Sequence, residues 1–337
     1  MKPTHYTIPI FIPQLACPFQ CVFCDQKRIT GHERIPSPDE VKKIIDEHLA
    51  TIPKRRRHVE VGFFGGTFTG LPLEQQVKYL EIAQPYIEEG LIHGIRLSTR
   101  PDFINHEVLR MLKKHHIGTI ELGAQSMDDG VLDQSGRGHT AADTAAAAAV
   151  VRKANFNLGL QMMIGLPGDT LEKSKFTAHQ IVGLGADNTR IYPTLVIKDT
   201  PLEELYRKGS YKPLSLEEAV NWTKEIMKIF EAGNVRVIRV GLHPSEGLID
   251  GSDLIAGPFH KSFRELVMTE LWWDQLKTLM DNYPDEKSLT LSVPPEQLNF
   301  AVGYEAKNKK KLLTKYRIVS FQTDPTLSGR HYEIDHH

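Results

Sequence analysis

Residues 7–24, TIPIFIPQLACPFQCVFC, join an apolar run to a loop that holds all three cysteines of the chain. Thr7–Ile12 is rich in β-branched residues and stops at Pro13, the layout of a strand giving way to a loop. The cysteines follow as Cys17-x3-Cys21-x2-Cys24, with an aromatic at Phe23. An odd number of thiols within eight residues cannot pair off into disulfides, so ligation is the natural reading. Three thiolates can hold three corners of a [4Fe–4S] cluster and leave the fourth iron open, a state that a fourth cysteine would abolish. An open iron can chelate the amino and carboxylate groups of S-adenosylmethionine (SAM), whose reductive cleavage gives methionine and a 5′-deoxyadenosyl radical. The alternative is a zinc site completed by His32, although zinc modules of this kind usually come as two ligand pairs.

Outward from this stretch, short apolar runs alternate with amphipathic ones, the pattern of βα units and a parallel sheet. Strands are predicted at Thr7–Ile12, Val59–Phe64, Ile95–Ser98, Thr119–Ala124, Leu158–Ile164 and Thr189–Pro193. Helices are predicted near Pro38–Thr51, Leu73–Glu89, Asn105–His115, Ala141–Lys153, Leu171–Leu184 and Leu216–Ala232. Ser37, Pro38 and Glu40 put a cap, a first-turn proline and a capping-box acid in register, and Ser215 with Glu218 repeats the device. Six units are fewer than the eight of a closed barrel, so the expected fold is α/β, an incomplete (βα)6 barrel open on one side. Chemistry in such barrels sits at the carboxyl ends of the strands. The cysteine loop, Gly65–Gly66, Ser98–Asp102, Gln125 and Gly165–Gly168 all follow strands and are expected on one rim.

The spacing of the cysteines after a first strand resembles the radical SAM superfamily. The segments FFGGTFTGLP, STRPD, ELGAQSMDDGVL, RGHT and MMIGLPGDT, in that order within residues 6–200, resemble its elongator catalytic subunit branch. By position, the resemblance implies Cys17, Cys21 and Cys24 on the cluster and Phe23 as the aromatic of the cysteine motif. It implies Gly65 and Gly66 at the SAM amino group, with Thr67 where an acid is commoner, and Ser98 or Arg100 near the ribose or carboxylate. Gln125, Arg137 and Gln161 would meet other polar atoms of SAM, and the Gly165–Gly168 turn would lie beside adenine. Oxygen-independent coproporphyrinogen oxidases share the layout but carry acids at the positions of Ser98 and Gln161. Outside the motif context Arg100 and Arg137 read as salt-bridge arginines, Glu121 as a buried partner inside the barrel, and Arg55–Arg57 as a solvated turn. Tyr192, His243 and His260 are candidates to face the cavity.

A formal net charge of -1 with 25% charged residues excludes a globally basic nucleic-acid binder, so any nucleic-acid contact must be a local patch. No apolar run reaches the roughly 18 residues of a membrane span, and the N-terminus lacks a signal-peptide layout, so no membrane contact and a cytoplasmic location are expected. Around Asp281–Lys287 a polar segment with Pro284 reads as a linker, dividing a barrel over 1–280 from a small α/β module over 281–337. In the module, strand Leu289–Val293, helices Pro295–Val302 and Lys307–Thr314 and strand Arg317–Gln322 resemble a KH domain, with Gly303–Ala306 at the place of its GXXG loop. Lys309, Lys310 and Lys311 suit RNA phosphates, and a dimerisation or lid unit with a solvated lysine face is the alternative. The elongator subunit acetylates through an attached domain, which this chain is expected not to contain. The leading expectation is radical modification of an RNA nucleoside, tRNA included, with electrons from a donor such as flavodoxin or ferredoxin. The rivals are a radical SAM enzyme on a small metabolite or tetrapyrrole, and a non-catalytic RNA-binding metal protein.

Overall fold

The computed structural model describes residues 4–12, 17, 21–31, 34–243, 245–283 and 288–335. The linker residues 284–287 and His32 lie outside the described residues. Seven parallel strands form one sheet in sequential order: β1 (Thr4–Ile12), β2 (Arg57–Gly65), β3 (Gly94–Thr99), β4 (Ile117–Gln125), β5 (Asn157–Ile164), β6 (Asn188–Pro193) and β8 (Arg236–Val240). A two-stranded antiparallel ribbon is made by β7 (Val196–Ile197) and β9 (Leu254–Ala256). All six expected strands are present, and β8 corrects the count from six to seven. Its sequence RVIRV holds three apolar residues in five positions, interrupted by Arg239, too short and too charged a run to signal a strand.

The sheet is a curled, incomplete barrel whose terminal strands, β1 and β8, are not paired with one another. Helices cover its outer face, and the main core is built from residues such as Ile8, Val61, Leu97, Leu122, Leu160 and Ile191 against Ile45, Leu80, Val151 and Phe230. The caps read from sequence are formed: Ser37 and Glu40 close a full capping box on Pro38–Thr51, and Ser215 and Glu218 do so on Leu216–Ala232.

The carboxyl-terminal unit is a mixed sheet in which β10 (Ser288–Val293) lies between parallel β11 (Ile318–Thr323) and antiparallel β12 (Glu333–Asp335). Its core takes Trp272, Leu276 and Leu279 from the preceding segment, together with Leu291, Val293, Leu312 and Tyr316. The helix Phe263–Leu276 therefore serves two cores, because its first turns pack Phe263, Val267 and Leu271 into the barrel core. The loop Gly303–Ala306 is held against this helix: Tyr304 N–H donates to Thr269 Oγ1 at 2.8 Å, and the Tyr304 ring stands edge-on to His260 at 5.4 Å. His260 thus packs on the terminal unit rather than in the barrel cavity.

Candidate active site

The cysteine loop is fastened through Val22, between the second and third cysteines. Val22 N–H donates to the Ser135 carbonyl at 3.1 Å, and Leu202 N–H donates to the Val22 carbonyl at 2.8 Å. Asp25 then caps the short helix Gln26–Thr30 by accepting from Lys27 and Arg28 N–H. Arg28 ties that helix to the β9 region through Asp253 at 2.5 Å. Phe23 is buried with Val131, Leu166, Val196, Leu202 and Tyr211, so it anchors the loop as a hydrophobic plug between ligand positions. Cys21 is buried and Cys17 and Cys24 are partly exposed.

One cavity of about 930 Å³ is lined by Cys17, Cys21, Phe23, Cys24, Gly65, Gly66, Thr67, Ser98, Arg100, Gln125, Arg137 and Gln161. These cluster and SAM candidates therefore meet in one place, whereas the Gly165–Gly168 turn is not among the lining residues. Tyr192 and His243 line the cavity as well. Arg55–Arg57 instead form the turn entering β2, at the opposite end of the strand from Gly65.

The electrostatics favour a bound cationic centre. Cys24 is pushed up to about 12, first by burial and then by the neighbouring Cys21 thiol, so its proton leaves readily only when a metal takes its place. Arg137 reaches over this group, with Nη1 3.3 Å from Cys21 Sγ and Nη2 donating to the Gly123 carbonyl at 2.6 Å.

The walls carry polar groups left for a ligand. Gln125 ends β4 at φ 64°, in the left-handed region that favours glycine, and the β4–β5 register shifts between Leu122 and Gln125. Backbone held this way concentrates at ligand sites. Among the described residues Gln125 Oε1 and Arg137 Nε are buried without a partner, donor and acceptor capacity of the kind a polar cofactor uses. Gly123 keeps the space open, since a Cβ there would come within 2.9 Å of Gln125 Nε2. Arg100 lines the cavity with its Nε and Nη2 paired bidentately to Asp102 at 2.9 Å, which outweighs burial and keeps its charge.

Below the rim runs an ion network that the sequence reading reached only through Glu121. Arg96 donates to Glu60 and Glu121, both at 2.9 Å, and Arg190 grips Glu121 at 2.5 and 3.0 Å. Gln161 Nε2 donates to Glu121 Oε2 and to Ser98 Oγ, each at 2.9 Å, linking the network to the rim. Gly159 makes room for Glu121, because a Cβ there would meet its Cγ at 2.8 Å. His5, His58 and Glu60 offer ligand atoms within 4.8 Å of one another, but Arg96 already occupies the Glu60 carboxylate. Glu60 and Arg96 share strand faces with each other across β2 and β3; their signal was a charged residue inside an apolar strand.

Residues 11–181 match the family description of the Radical SAM superfamily, and residues 186–272 match that of the Radical_SAM C-terminal domain. The chain belongs to the radical SAM superfamily. Its resident cofactors are accordingly a [4Fe–4S] cluster and SAM, and the cavity residues fit both. A radical SAM chain of this kind is similar to the tRNA uridine(34) acetyltransferase of Methanocaldococcus jannaschii, at 29% identity over 61% of this chain and 42% of that protein. It is also similar to the heme chaperone HemW of Bacillus subtilis, at 24% identity over 74% of this chain and 65% of that one. The solved archaeal Elp3 of Methanocaldococcus infernus superposes with a TM-score of 0.65 at 20% identity, over 82% of this chain and 64% of the other, a likeness of fold. The chain thus spans less than two thirds of the length of each of these relatives. Among the described residues, no helix is long and apolar enough to cross a membrane.

Proposed function

We propose that this radical SAM enzyme modifies an RNA nucleoside, with tRNA as the substrate class. The observation that carries the reading is the convergence of the cysteines and the SAM-binding candidates on one cavity that opens between β1 and β8. Cys17, Cys21 and Cys24 would hold the cluster. Gly65 and Gly66 would meet the SAM amino group through backbone, with Thr67 beside them, while Ser98, Gln125, Arg137 and Gln161 would take its other polar atoms. Arg100 would act by fixing the β3 loop through Asp102. Bound there, the pair supplies a 5′-deoxyadenosyl radical able to abstract hydrogen from an unreactive C–H bond, with one electron from a donor such as flavodoxin or ferredoxin. The chain's own part is to orient SAM and the substrate and to exclude water.

The RNA reading is supported by the likeness to the tRNA uridine(34) acetyltransferase and by the basic face of the terminal unit, which we treat as a KH-like module over 281–337. Not all of that face is available: Lys307 pairs with Glu270 at 2.6 Å and Lys311 lies over Trp273 at 4.4 Å. Lys309 and Lys310 remain for phosphate contact, with Glu305 exposed on the loop that precedes them. The acetyl-transfer reaction itself is not carried over.

A tetrapyrrole or small metabolite is the second reading, favoured by the heme chaperone likeness over 74% of this chain. Nucleoside and metabolite profiling of a deletion strain, followed by incubation of the reconstituted protein with SAM, reductant and tRNA from that strain, separates the two. Loss of one modified nucleoside that the protein restores supports RNA. An unchanged nucleoside profile with an altered tetrapyrrole or metabolite overturns it.

A further inference from the structure

Arg190 on β6 and Arg239 on β8 are register partners, and Ile238 is skipped where the pairing shifts between Thr189 and Arg190. Such a bulge re-aims the side chains that follow it. Here it sets two guanidiniums on neighbouring strands directly opposite each other, an arrangement that is destabilising in a sheet. Only one of them is compensated. Glu121 accepts two hydrogen bonds from Arg190 and a third from Arg96, so its carboxylate is fully engaged. Among the described residues Arg239 forms no ion pair. Its hydrogen bonds run from Nε to the Gly241 carbonyl at 3.1 Å and between Nη2 and His243 Nδ1 at 3.4 Å, with no carboxylate among them. Half-buried, it lines the same cavity as Tyr192 and His243. Burial, and then repulsion from Arg190, push its guanidinium below the ordinary range, with Tyr192 opposing. A strand distortion that places an uncompensated charge in a cavity is explained by an anion that arrives with the ligand.

We propose that Arg239 receives an oxyanion of the substrate, a phosphate or a carboxylate, in the part of the cavity bounded by Tyr192 and His243. This rests on the reading of the cavity as the substrate site of a radical SAM enzyme. The planar fork suits either oxyanion bidentately.

The test uses the full chain with its cluster reconstituted and SAM bound, and titrates inorganic phosphate, uridine 5′-monophosphate, uridine and succinate calorimetrically at low salt. At least one anionic probe should bind more tightly than uridine, and Arg239→Gln should weaken it by roughly tenfold or more, the loss expected for a charged hydrogen-bonding partner. Arg110→Gln, exposed on the helix His106–Lys113 and outside the cavity lining, should leave it within about twofold, the usual size of a surface effect. Preference for the phosphate probes assigns a phosphate-bearing substrate, and preference for succinate a carboxylate. As a measurement independent of any variant, the bound anion should slow phenylglyoxal modification of Arg239 in the wild-type protein, read by peptide mass spectrometry. Affinity unchanged in Arg239→Gln, or no probe bound and no protection of Arg239, overturns the proposal. If the wild type instead fails to load a cluster or cleave SAM, the functional reading itself has failed, and the two failures are told apart in one preparation.

Discussion

At Cys21 burial and neighbourhood act together: the thiol is enclosed, flanked by two other cysteines in sequence, and touched by Arg137. Cys21→Ala should abolish cluster assembly, because two thiolates cannot hold the cube with one iron open. Loss of the broad visible absorption and of SAM cleavage after anaerobic reconstitution is the expected outcome, and full iron content would contradict it. Gly66→Val acts differently. Gly66 lines the cavity, and a β-branched side chain there fills the space where backbone and ligand meet. The variant should keep its cluster and lose roughly tenfold or more in SAM affinity, equivalent to about 1.4 kcal/mol, measured by equilibrium binding. That the cysteines and Gly66 line one cavity was legible because each follows a strand end in a barrel-type pattern. Arg190 and Arg239 were not, since each is defined by what stands opposite on another strand, and a single sequence does not display that register.

Among the elements, the inner face of β2 to β6 is where charge burial decides stability. Glu121 is fully buried and serves Arg96, Arg190 and Gln161 at once. Glu121→Gln leaves two arginines short of a counter-charge and should cost about 3–5 kcal/mol of unfolding free energy, seen as a lower urea midpoint. Glu60 supplies a pH dependence. Burial works against its carboxylate, but the hydrogen bond from His5 and the Arg96 guanidinium outweigh it and hold the group at about 2, against an ordinary 4.5. The folded value is depressed, so the stabilisation is present above pH 4.5 and is lost as pH falls towards 2; its full size is about 3 kcal/mol. Glu60→Gln should flatten this part of the acid limb in unfolding curves taken from pH 5 to 2, and an unchanged slope would show that other carboxyls set it. The strands themselves were legible from apolar runs of the right length, and β8 was the exception because Arg239, which lines the cavity, interrupts its short apolar run.

For the whole molecule, the helix Phe263–Leu276 decides how the parts behave. Trp272 is completely buried in the core of the terminal unit and donates to Gln297 Oε1 at 3.1 Å, four residues before the helix ends. Trp272→Ala should cost about 3–5 kcal/mol. Because the same helix also packs into the barrel, thermal unfolding of the wild type should be one transition by circular dichroism and tryptophan fluorescence alike, and the variant should separate the two signals. Two coincident transitions in both proteins would argue against such coupling. A polar stretch at 281–287 marks a change of composition, but composition does not register a helix shared by two cores, which is why the dependence of one part on the other was not legible. The gap between the edge strands β1 and β8 is flanked by side chains as well as backbone, Phe11 of β1 stacking on His243, just past β8, with ring centroids 6.4 Å apart. Its β8 side is fixed by Phe263, which sits where a Cβ on Gly241 would come within 3.2 Å, and that residue begins the helix on which the terminal unit is mounted. The β8 edge and the terminal unit therefore share one mount, and a tilt of that helix would displace both together.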